Sequence, residues 1–377
     1  MYKLIEYFED LEDPRSNIGK KHKLIDVIVL TIYGILLGQN DTENISYFLG
    51  LNKEYFEELL SLENGIPSAD TFLRVYKAIK PESFMKCFSA WVKNIIEEKK
   101  VEDKIKLIPI DGKAIKSSTD KVNKGNIPYV VSAYLSDIGI SIGQLKVDDK
   151  SNEIKAIPDL LDLLDIKGAV ITIDAIGTQT KIVNKIVSKE GYYCLCVKDN
   201  QEGLNTDIKE YFEFAKCDKT EKLDYCKSID KDYGRIETRE TYISSNVDFI
   251  DKKWTDIKII IMTINTREVK GKVSVQEKYY ISNLKTTAKE FAKITRGHWS
   301  IENNLHWVLD VHFREDSSKS KQGHSIHNLS LIRKICYNLV KLDTVAPRKE
   351  INKKIMWYQN NFDNLKNIIF DIIPDNI

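Results

Sequence analysis

The order of apolar segments between residues 106 and 198 constrains the fold of this chain more than any other feature. KLIPIDGKAI is typical of a strand that ends at a turn. YVVSAYLSD and IGISIGQLKV alternate apolar and polar residues on either side of a DIG turn, which predicts a hairpin. AIPDLLDLLD then predicts a helix, GAVITID a buried strand, TKIVNKIVSKE a second helix and YYCLCVK another buried strand. Three strands in sequence therefore precede an alternation of helix and strand.

This order predicts an α/β fold with the ribonuclease H-like layout, a mixed sheet with helices on its faces. An insertion at about residues 203–284 interrupts it, with strand-like pieces RIETRETYIS, IKIIIMTIN and KYYISNL between charged turns. Helical spacing returns in TTAKEFAKITRGHWSIENNLHWVLDV. We therefore predict a core domain over residues 104–377 that contains a β-rich insertion.

Residues 1–98 are predicted to form a separate all-α domain, bounded by the charged run EEKKVEDKIK. IDVIVLTIYGILLG contains Asp26 and is too short to span a bilayer, so we expect a buried helix. YFEELLSL, TFLRVYKAI and SFMKCFSAWVKNIIEE show helical spacing, with Ser68 as a candidate N-cap. Two roles remain open: a small structural bundle, or DNA recognition through Arg74, Lys77 and Lys80.

The composition narrows the class of protein. A chain of 42% hydrophobic and 30% charged residues is typical of an ordered globular protein, and we expect no membrane segment. The start, MYKLIEYFEDLEDPRS, lacks the features of a signal peptide, so we expect a cytoplasmic location. The six cysteines contain no CxxC pair and are expected to be structural thiols. The net charge of +1 gives no sign of nucleic-acid binding, although residues 285–350 carry 12 Lys and Arg against 7 Asp and Glu.

Two aspartates follow apolar strands. Asp111 ends PID before a glycine, and Asp174 ends TID before AIG. Each alone is equally well explained as a turn-initiating or helix-capping residue. Ligands collect at the carboxyl edge of open α/β sheets, so the pair favours a functional site there.

A second acidic feature lies near residue 300, where His298, Glu302, His306 and Asp310 recur every four residues. In a helix these side chains share one face, and Ile301, Leu305, Val308, Leu309 and His312 form the opposite stripe that packs on a core. We therefore predict that Glu302 points at Asp111 and Asp174. Three carboxylates from separate segments suit Mg²⁺ or Mn²⁺, and two such ions about 4 Å apart promote in-line displacement at phosphorus.

Zinc is the alternative for the same helix, with His298, Glu302 and His306 as ligands. Imidazole suits zinc, but the segment contains no HExxH motif. This alternative also leaves Asp111 and Asp174 without a role.

Five motifs in order carry a resemblance to a known family: IDGKAIK, TIDAIGTQ, VKDNQ, YGRIETR and RGHWSIENNLHWVLDVHFRED. Together they resemble the DDE transposases of bacterial insertion sequences, most closely the H-repeat-associated branch. Chains of that branch begin with a dedicated helical domain, to which DPRSNIGKKHKLIDVIVL and IPSADTFLRVYKAI are similar. The resemblance implies that Asp111, Asp174 and Glu302 are the catalytic residues and the ligands of two metal ions.

The resemblance also implies a reaction and partners. Such an enzyme binds the terminal inverted repeats of its element, hydrolyses a phosphodiester at each end and transfers the freed 3′-hydroxyl to target DNA. It implies double-stranded DNA as partner, a homodimer in the DNA complex, no membrane, and action at the bacterial nucleoid. A non-catalytic DNA-binding relic of a mobile element is the alternative; it would not need all three carboxylates.

Several residues are candidates for contact with DNA. His298 stands where the wider superfamily has an arginine, so the resemblance implies that His298, together with Arg296, takes its phosphate-side role. Trp299 and Trp307 either stack on an unpaired base or pack in the core. The remaining candidates are polar or basic side chains beside the motifs, for which turn formation or ordinary surface charge is the alternative: Lys113, Lys198, Asn200, Gln201, Arg235 and Arg239.

Overall fold

The computed structural model of the chain describes residues 4–18, 20–99, 105–116, 127–147, 152–218, 221–232, 234–318, 320 and 322–370. Residues 100–104, half of the predicted domain boundary EEKKVEDKIK, lie outside the described residues.

The N-terminal region is helical, as predicted. It comprises α1 (Leu24–Leu36), α2 (Thr42–Leu51), α3 (Lys53–Leu60), α4 (Ala69–Ala78) and α5 (Pro81–Glu98). α1 is buried along most of its length because nearly every side chain is apolar. The Ser68 side chain caps α4 by accepting a hydrogen bond from the backbone N–H of Thr71.

A mixed nine-stranded sheet forms the centre of the molecule. Its strands are β1 (Leu107–Ala114), β2 (Tyr129–Leu135), β3 (Ile140–Val147), β4 (Val170–Ile173), β5 (Tyr192–Val197), β6 (Asp224–Asp232), β7 (Arg235–Ser244), β8 (Ile259–Val269) and β9 (Lys272–Ser282). Their order across the sheet is β3-β2-β1-β4-β5-β9-β8-β7-β6. β1, β4 and β5 run parallel, whereas β1–β2 and β2–β3 are antiparallel. The predicted mixed sheet is confirmed, and so is the predicted order of strands and helices along residues 106–198.

The later helices pack on this sheet or on neighbouring helices. They are α6 (Glu153–Leu163), α7 (Thr180–Ser188), α8 (Glu202–Cys217), α9 (Ala288–Gly297), α10 (Trp307–Val311), α11 (Ser325–Leu342), α12 (Ile351–Gln359) and α13 (Phe362–Phe370). α9 packs on the face that carries Leu107, Val170 and Cys194, which we call the α9 face. α6 and α7 share a core with the alternate residues Ile108 and Ile171, so they cover the other face.

The insertion extends the sheet, because β9 pairs antiparallel with β5. Two of its elements were not predicted: the helix α8 and the strand β6. β6 is exposed along almost its whole length, so its sequence shows no apolar alternation. No helix among the described residues is long and apolar enough to cross a membrane.

α11 links the N-terminal helices to the sheet. All of it except Lys341 is buried, and it contacts α1, α4 and α5 as well as β3. Asn328 Nδ2 donates to the carbonyl oxygens of Tyr76 at 2.8 Å and Ile79 at 2.9 Å. The two predicted domains therefore share an apolar core, and their division into separate units stays a prediction.

Candidate active site

Asp111 and Asp174 lie next to each other at the ends of two parallel strands. β1 and β4 are in register from Leu107–Val170 to Ile110–Ile173, and the two aspartates are the next residues. Asp174 keeps an extended backbone (φ −64°, ψ 175°). By the two-residue alternation of strands, both side chains lie on the α9 face.

β1 does not end at Asp111, as the sequence predicted, but continues to Ala114. The continuation is possible because β2 pairs with it beyond β4, with Asp111 opposite Ser132. Gly112 allows β1 to pass close to the side chains of Tyr129 and Glu153. A Cβ at this position would collide with the Tyr129 ring and lie 2.7 Å from Glu153 Oε1.

The turn after Asp174 is held by side chains from the end of β5. Asp174 Oδ1 accepts from the Ile176 N–H at 3.1 Å, so the capping role also exists. Asn200 Nδ2 donates to the Ala175 carbonyl at 2.7 Å, and Gln201 Nε2 donates to the Thr178 carbonyl at 3.0 Å. Asn200 and Gln201 therefore fix the backbone that presents Asp174.

The segment after α9 is helical but not regular, because a π-helix at Ile301–His306 separates α9 from α10. In a pure α-helix, side chains four residues apart drift by about 40° per step, because each residue turns about 100°. The wider i→i+5 turn of a π-helix rotates less per residue and offsets this drift. The apolar stripe is buried at Ile301, Leu305, Val308 and Leu309, whereas His312 is partly exposed.

The four side chains that recur every four residues, His298, Glu302, His306 and Asp310, are called the ladder here, and they face the ends of β1 and β4. His298 Nδ1 lies 3.1 Å from Thr172 Oγ1, and His306 Nδ1 lies 3.4 Å from Asp111 Oδ2. Asp310 accepts a hydrogen bond from Lys113, two residues beyond Asp111. The remaining member, Glu302, lies within the electrostatic range of both aspartates.

Negative charge is concentrated at this point. Burial raises the pKa of Glu302, and the charges of Asp111 and Asp174 raise it further, against the opposing effects of His306 and Lys278. Burial lowers the pKa of His298 despite the two aspartates, which favours its neutral imidazole. The carboxylates therefore repel one another without a histidinium at His298 to offset them.

The donor set fits a hard divalent cation in its chemistry, since Mg²⁺ prefers carboxylate oxygen. As the side chains stand, no three His, Cys, Asp or Glu residues within the described part of the chain form a group that could hold a metal ion. Mg²⁺ is commonly bound through one or two carboxylates, water and substrate phosphate, so it does not need a closed protein cage. A structural zinc site does need converging protein ligands.

Lys113 belongs to a buried ion cluster beneath the site. Its Nζ binds Asp310 and lies 2.7 Å from Glu315 Oε2. Burial opposes the charged form of Glu315, but Lys113 and Lys334 outweigh it and hold the Glu315 pKa well below its usual range. The sequence did not indicate Glu315 or Lys334, because neither belongs to a strand end or to the ladder.

Three predicted DNA contacts lie on the inserted strands and α9, and all three are paired with acids. Arg239 binds Asp230 and Glu237, and Arg235 Nε lies 2.9 Å from Glu237 Oε1. Arg296 NH1 lies 3.6 Å from Asp230 Oδ2.

The two tryptophans of the ladder segment are exposed. Trp299 is 46% exposed and Trp307 55% exposed, so the core-packing alternative is wrong for both. Lys278, which the sequence did not indicate, places its Nζ 5.0 Å from the centre of the Trp299 ring. Its position depends on strand pairing between distant segments, so no local pattern could reveal it.

Comparison with known proteins supplies independent evidence. The model described as "Transposase DDE domain" matches residues 104–339, and the one described as "DDE_Tnp_1-associated" matches residues 5–92. "H repeat-associated putative transposase YhhI" of Escherichia coli strain K12 is 36% identical over 364 residues, covering 94% of this chain and 95% of that protein. "Putative transposase YncI" of Escherichia coli O157:H7 is 37% identical over 345 residues, covering 90% and 87% respectively.

Proposed function

This chain belongs to the transposase DDE domain family, and from that premise we propose that it cleaves and joins DNA at the ends of a bacterial insertion sequence. It binds the terminal inverted repeats, hydrolyses a phosphodiester at each end, and directs the freed 3′-hydroxyl into target DNA. Asp111, Asp174 and Glu302 are the proposed catalytic residues.

One observation carries this proposal: two aspartates follow each other across parallel neighbouring strands, and the helical segment that carries Glu302 reaches them, with its His306 in contact with Asp111. When bound, one or two Mg²⁺ or Mn²⁺ ions would activate the attacking oxygen and stabilise the leaving one. The three carboxylates would hold these ions. His306, 3.4 Å from Asp111, would orient that carboxylate.

The surroundings support a DNA strand as substrate. Trp299 is exposed next to His298, Arg296 is exposed although it lies 3.6 Å from Asp230, and Lys198 is exposed at the end of β5. An exposed indole can stack on an unpaired base, and the basic groups can contact phosphates. A homodimer would then hold the two ends of the element together.

The direct test is cleavage of DNA that carries the element's own ends, with Mg²⁺, Mn²⁺ and Zn²⁺ compared. We expect strand cleavage with Mg²⁺ or Mn²⁺, and none by the Asp111→Asn protein. Specific binding of the end DNA without cleavage in the presence of any of the three metals would contradict the proposed enzyme activity. It would favour the alternative, a non-catalytic DNA-binding relic. Cleavage supported by Zn²⁺ alone would favour the zinc alternative.

A further inference from the structure

We propose that Lys278, which the ring of Trp299 holds in place, binds a backbone phosphate of the DNA strand at the acidic site. This inference rests on the proposed function and adds a binding residue from the inserted strands.

Strand register places Lys278 on the catalytic side of the sheet. β5 and β9 pair at Cys196–Tyr280 and Val197–Tyr279, so Lys198 and Lys278 are the next residues in that register. Tyr280 packs with the α9 cluster, and Lys278, two residues away, points to the same α9 face. Asp111 and Asp174 lie on this face too.

The environment of Lys278 lacks a carboxylate partner. No Asp or Glu oxygen of the described residues lies within the 4.0 Å of an ion pair with it, whereas Lys113, Arg235, Arg239 and Arg296 all have one. The half-buried Lys278 is instead held over the Trp299 ring. A cation–π contact restricts the side chain without neutralising it, so its charge remains available to an anion.

The neighbouring charges favour a phosphate as that anion. Lys198 also has no ion pair among the residues that the structure describes. Because it continues the register opposite Lys278, two lysines without ion pairs occupy neighbouring positions across the sheet. Like charges at neighbouring positions destabilise a sheet, and a phosphate between them would relieve that repulsion. Trp299, which holds Lys278, directly follows His298, and His298 Nδ1 lies 3.1 Å from the Oγ1 of Thr172, two residues before Asp174, so a phosphate bound by Lys278 would lie beside the acidic site.

The test compares Lys278→Met with Lys231→Met in the full-length protein. Lys231 is an exposed lysine of the inserted strands, and its register with Ile236, Glu268 and Val273 places it on the opposite face. Binding to end DNA is measured across a salt series. We expect Lys278→Met to reduce the slope of log affinity against log salt by about 1, and Lys231→Met to leave it unchanged.

A double-mutant cycle that combines Lys278→Met with modified DNA identifies the phosphate that Lys278 contacts. Each phosphate near the scissile bond is replaced in turn by an uncharged methylphosphonate, and single-turnover cleavage is measured with both proteins. One replacement should slow the wild-type protein and have no further effect on Lys278→Met. Lys278→Arg should restore most of the loss.

The role of Trp299 is tested separately as a positioning residue. Trp299→Phe keeps an aromatic ring beneath Lys278 and should retain the methylphosphonate effect at the same phosphate. Trp299→Leu removes the ring and should weaken that effect.

Additive effects of Lys278→Met and every methylphosphonate, in a wild-type protein that cleaves, would overturn this inference and leave the proposed function standing. A wild-type protein that neither binds nor cleaves end DNA would overturn both.

Discussion

Asp111 and Asp174 are neighbours across two parallel strands, each one residue beyond the last registered pair, Ile110 and Ile173. Segments separated by 63 positions in sequence thus place two carboxylates on one face of the sheet. Asp111 lies within β1 and Asp174 directly follows β4, so the hydrogen-bonded register of the two strands brings the aspartates together, and the turn after Asp174 completes the placement of its side chain.

This relationship predicts that Asp111→Asn and Asp174→Asn each abolish cleavage while the protein still folds and binds end DNA. The amide has nearly the same shape but is a poor ligand for Mg²⁺, so we expect a loss greater than about 100-fold. Circular dichroism and DNA affinity serve as controls beside the cleavage rate. Retention of substantial cleavage by either variant would remove that aspartate from the site.

The ladder separates magnesium from zinc chemistry. With carboxylate ligands only, Glu302→Gln should be as inactive as the aspartate variants, and His306→Ala should leave the preference for Mg²⁺ or Mn²⁺ unchanged. The measurements are cleavage with each metal and elemental analysis of the purified proteins. Stoichiometric zinc in the wild-type protein that disappears in His306→Ala would contradict the magnesium assignment.

Asn200 offers a test of positioning against DNA contact. Its amide donates to the Ala175 carbonyl beside Asp174, so Asn200→Leu should loosen that turn. We expect a lower cleavage rate at saturating DNA and little change in DNA affinity. A loss of affinity with an unchanged saturated rate would instead support the phosphate contact predicted from the sequence.

The sequence predicted the central elements because each was marked by a local pattern. Buried strands such as GAVITID are apolar runs, and the two aspartates that follow them are anomalous enough to be noticed. The four-residue ladder indicated which side of the segment faces the site, although not the π-helix at Ile301–His306.

The remainder depended on contacts that no local pattern reports. β6 is exposed on both faces and therefore has no apolar alternation. Lys278 reaches the site only through the pairing of β9 with β5, and Lys113 meets Glu315 across 202 positions. Sequence alone suggested that Lys113 contacts DNA, whereas its charge is engaged by Asp310 and Glu315 in the structure.

The burial of His327 leads us to expect a loss of stability in mild acid. It is buried, neither ring nitrogen has a hydrogen-bond partner among the described residues, and burial, with nearby Lys334, Lys146 and His324, lowers its pKa to about 3. The unfolded chain takes up a proton below about pH 6.5, where the folded protein does not. The free energy of unfolding should therefore fall as pH decreases from about 6.5 towards 3, by up to about 1.4 kcal/mol per pH unit.

The comparison protein for this effect is His327→Leu, which has no titrating group at the site. Both proteins are unfolded thermally at pH 7 and pH 4.5. The contribution of the carboxylates that they share to the change in stability cancels in the comparison. The wild-type protein should lose more stability between the two pH values. Equal losses would show that His327 does not carry the effect.

Substitutions of Lys113 and Lys116 measure how much the buried ion cluster contributes to stability. The Lys113 side chain is 11% exposed, and its removal would leave Glu315, whose side chain is 2% exposed, without the nearest cation, because Lys334 Nζ is 4.0 Å away. Breaking one partner of a buried pair costs about 3–5 kcal/mol, so Lys113→Met should lower the free energy of unfolding by that amount. The Lys116 side chain is 75% exposed and pairs with Asp316 at 3.3 Å. Lys116→Met should change stability by less than about 1 kcal/mol, as for other surface pairs.

Denaturant unfolding at pH 7 measures both variants. Since Lys113 and Lys334 hold the Glu315 pKa below its usual range, Glu315 stabilises the fold above the unfolded carboxyl pKa of about 4.3. That contribution is lost as pH falls through the lower folded value. Removing Lys113 should raise the folded pKa of Glu315, so Lys113→Met should be less sensitive to acid than the wild-type protein below about pH 4. A variant that is as stable as Lys116→Met at pH 7 would mean that Lys113 does not hold the cluster together and remains available for the DNA contact that the sequence suggested.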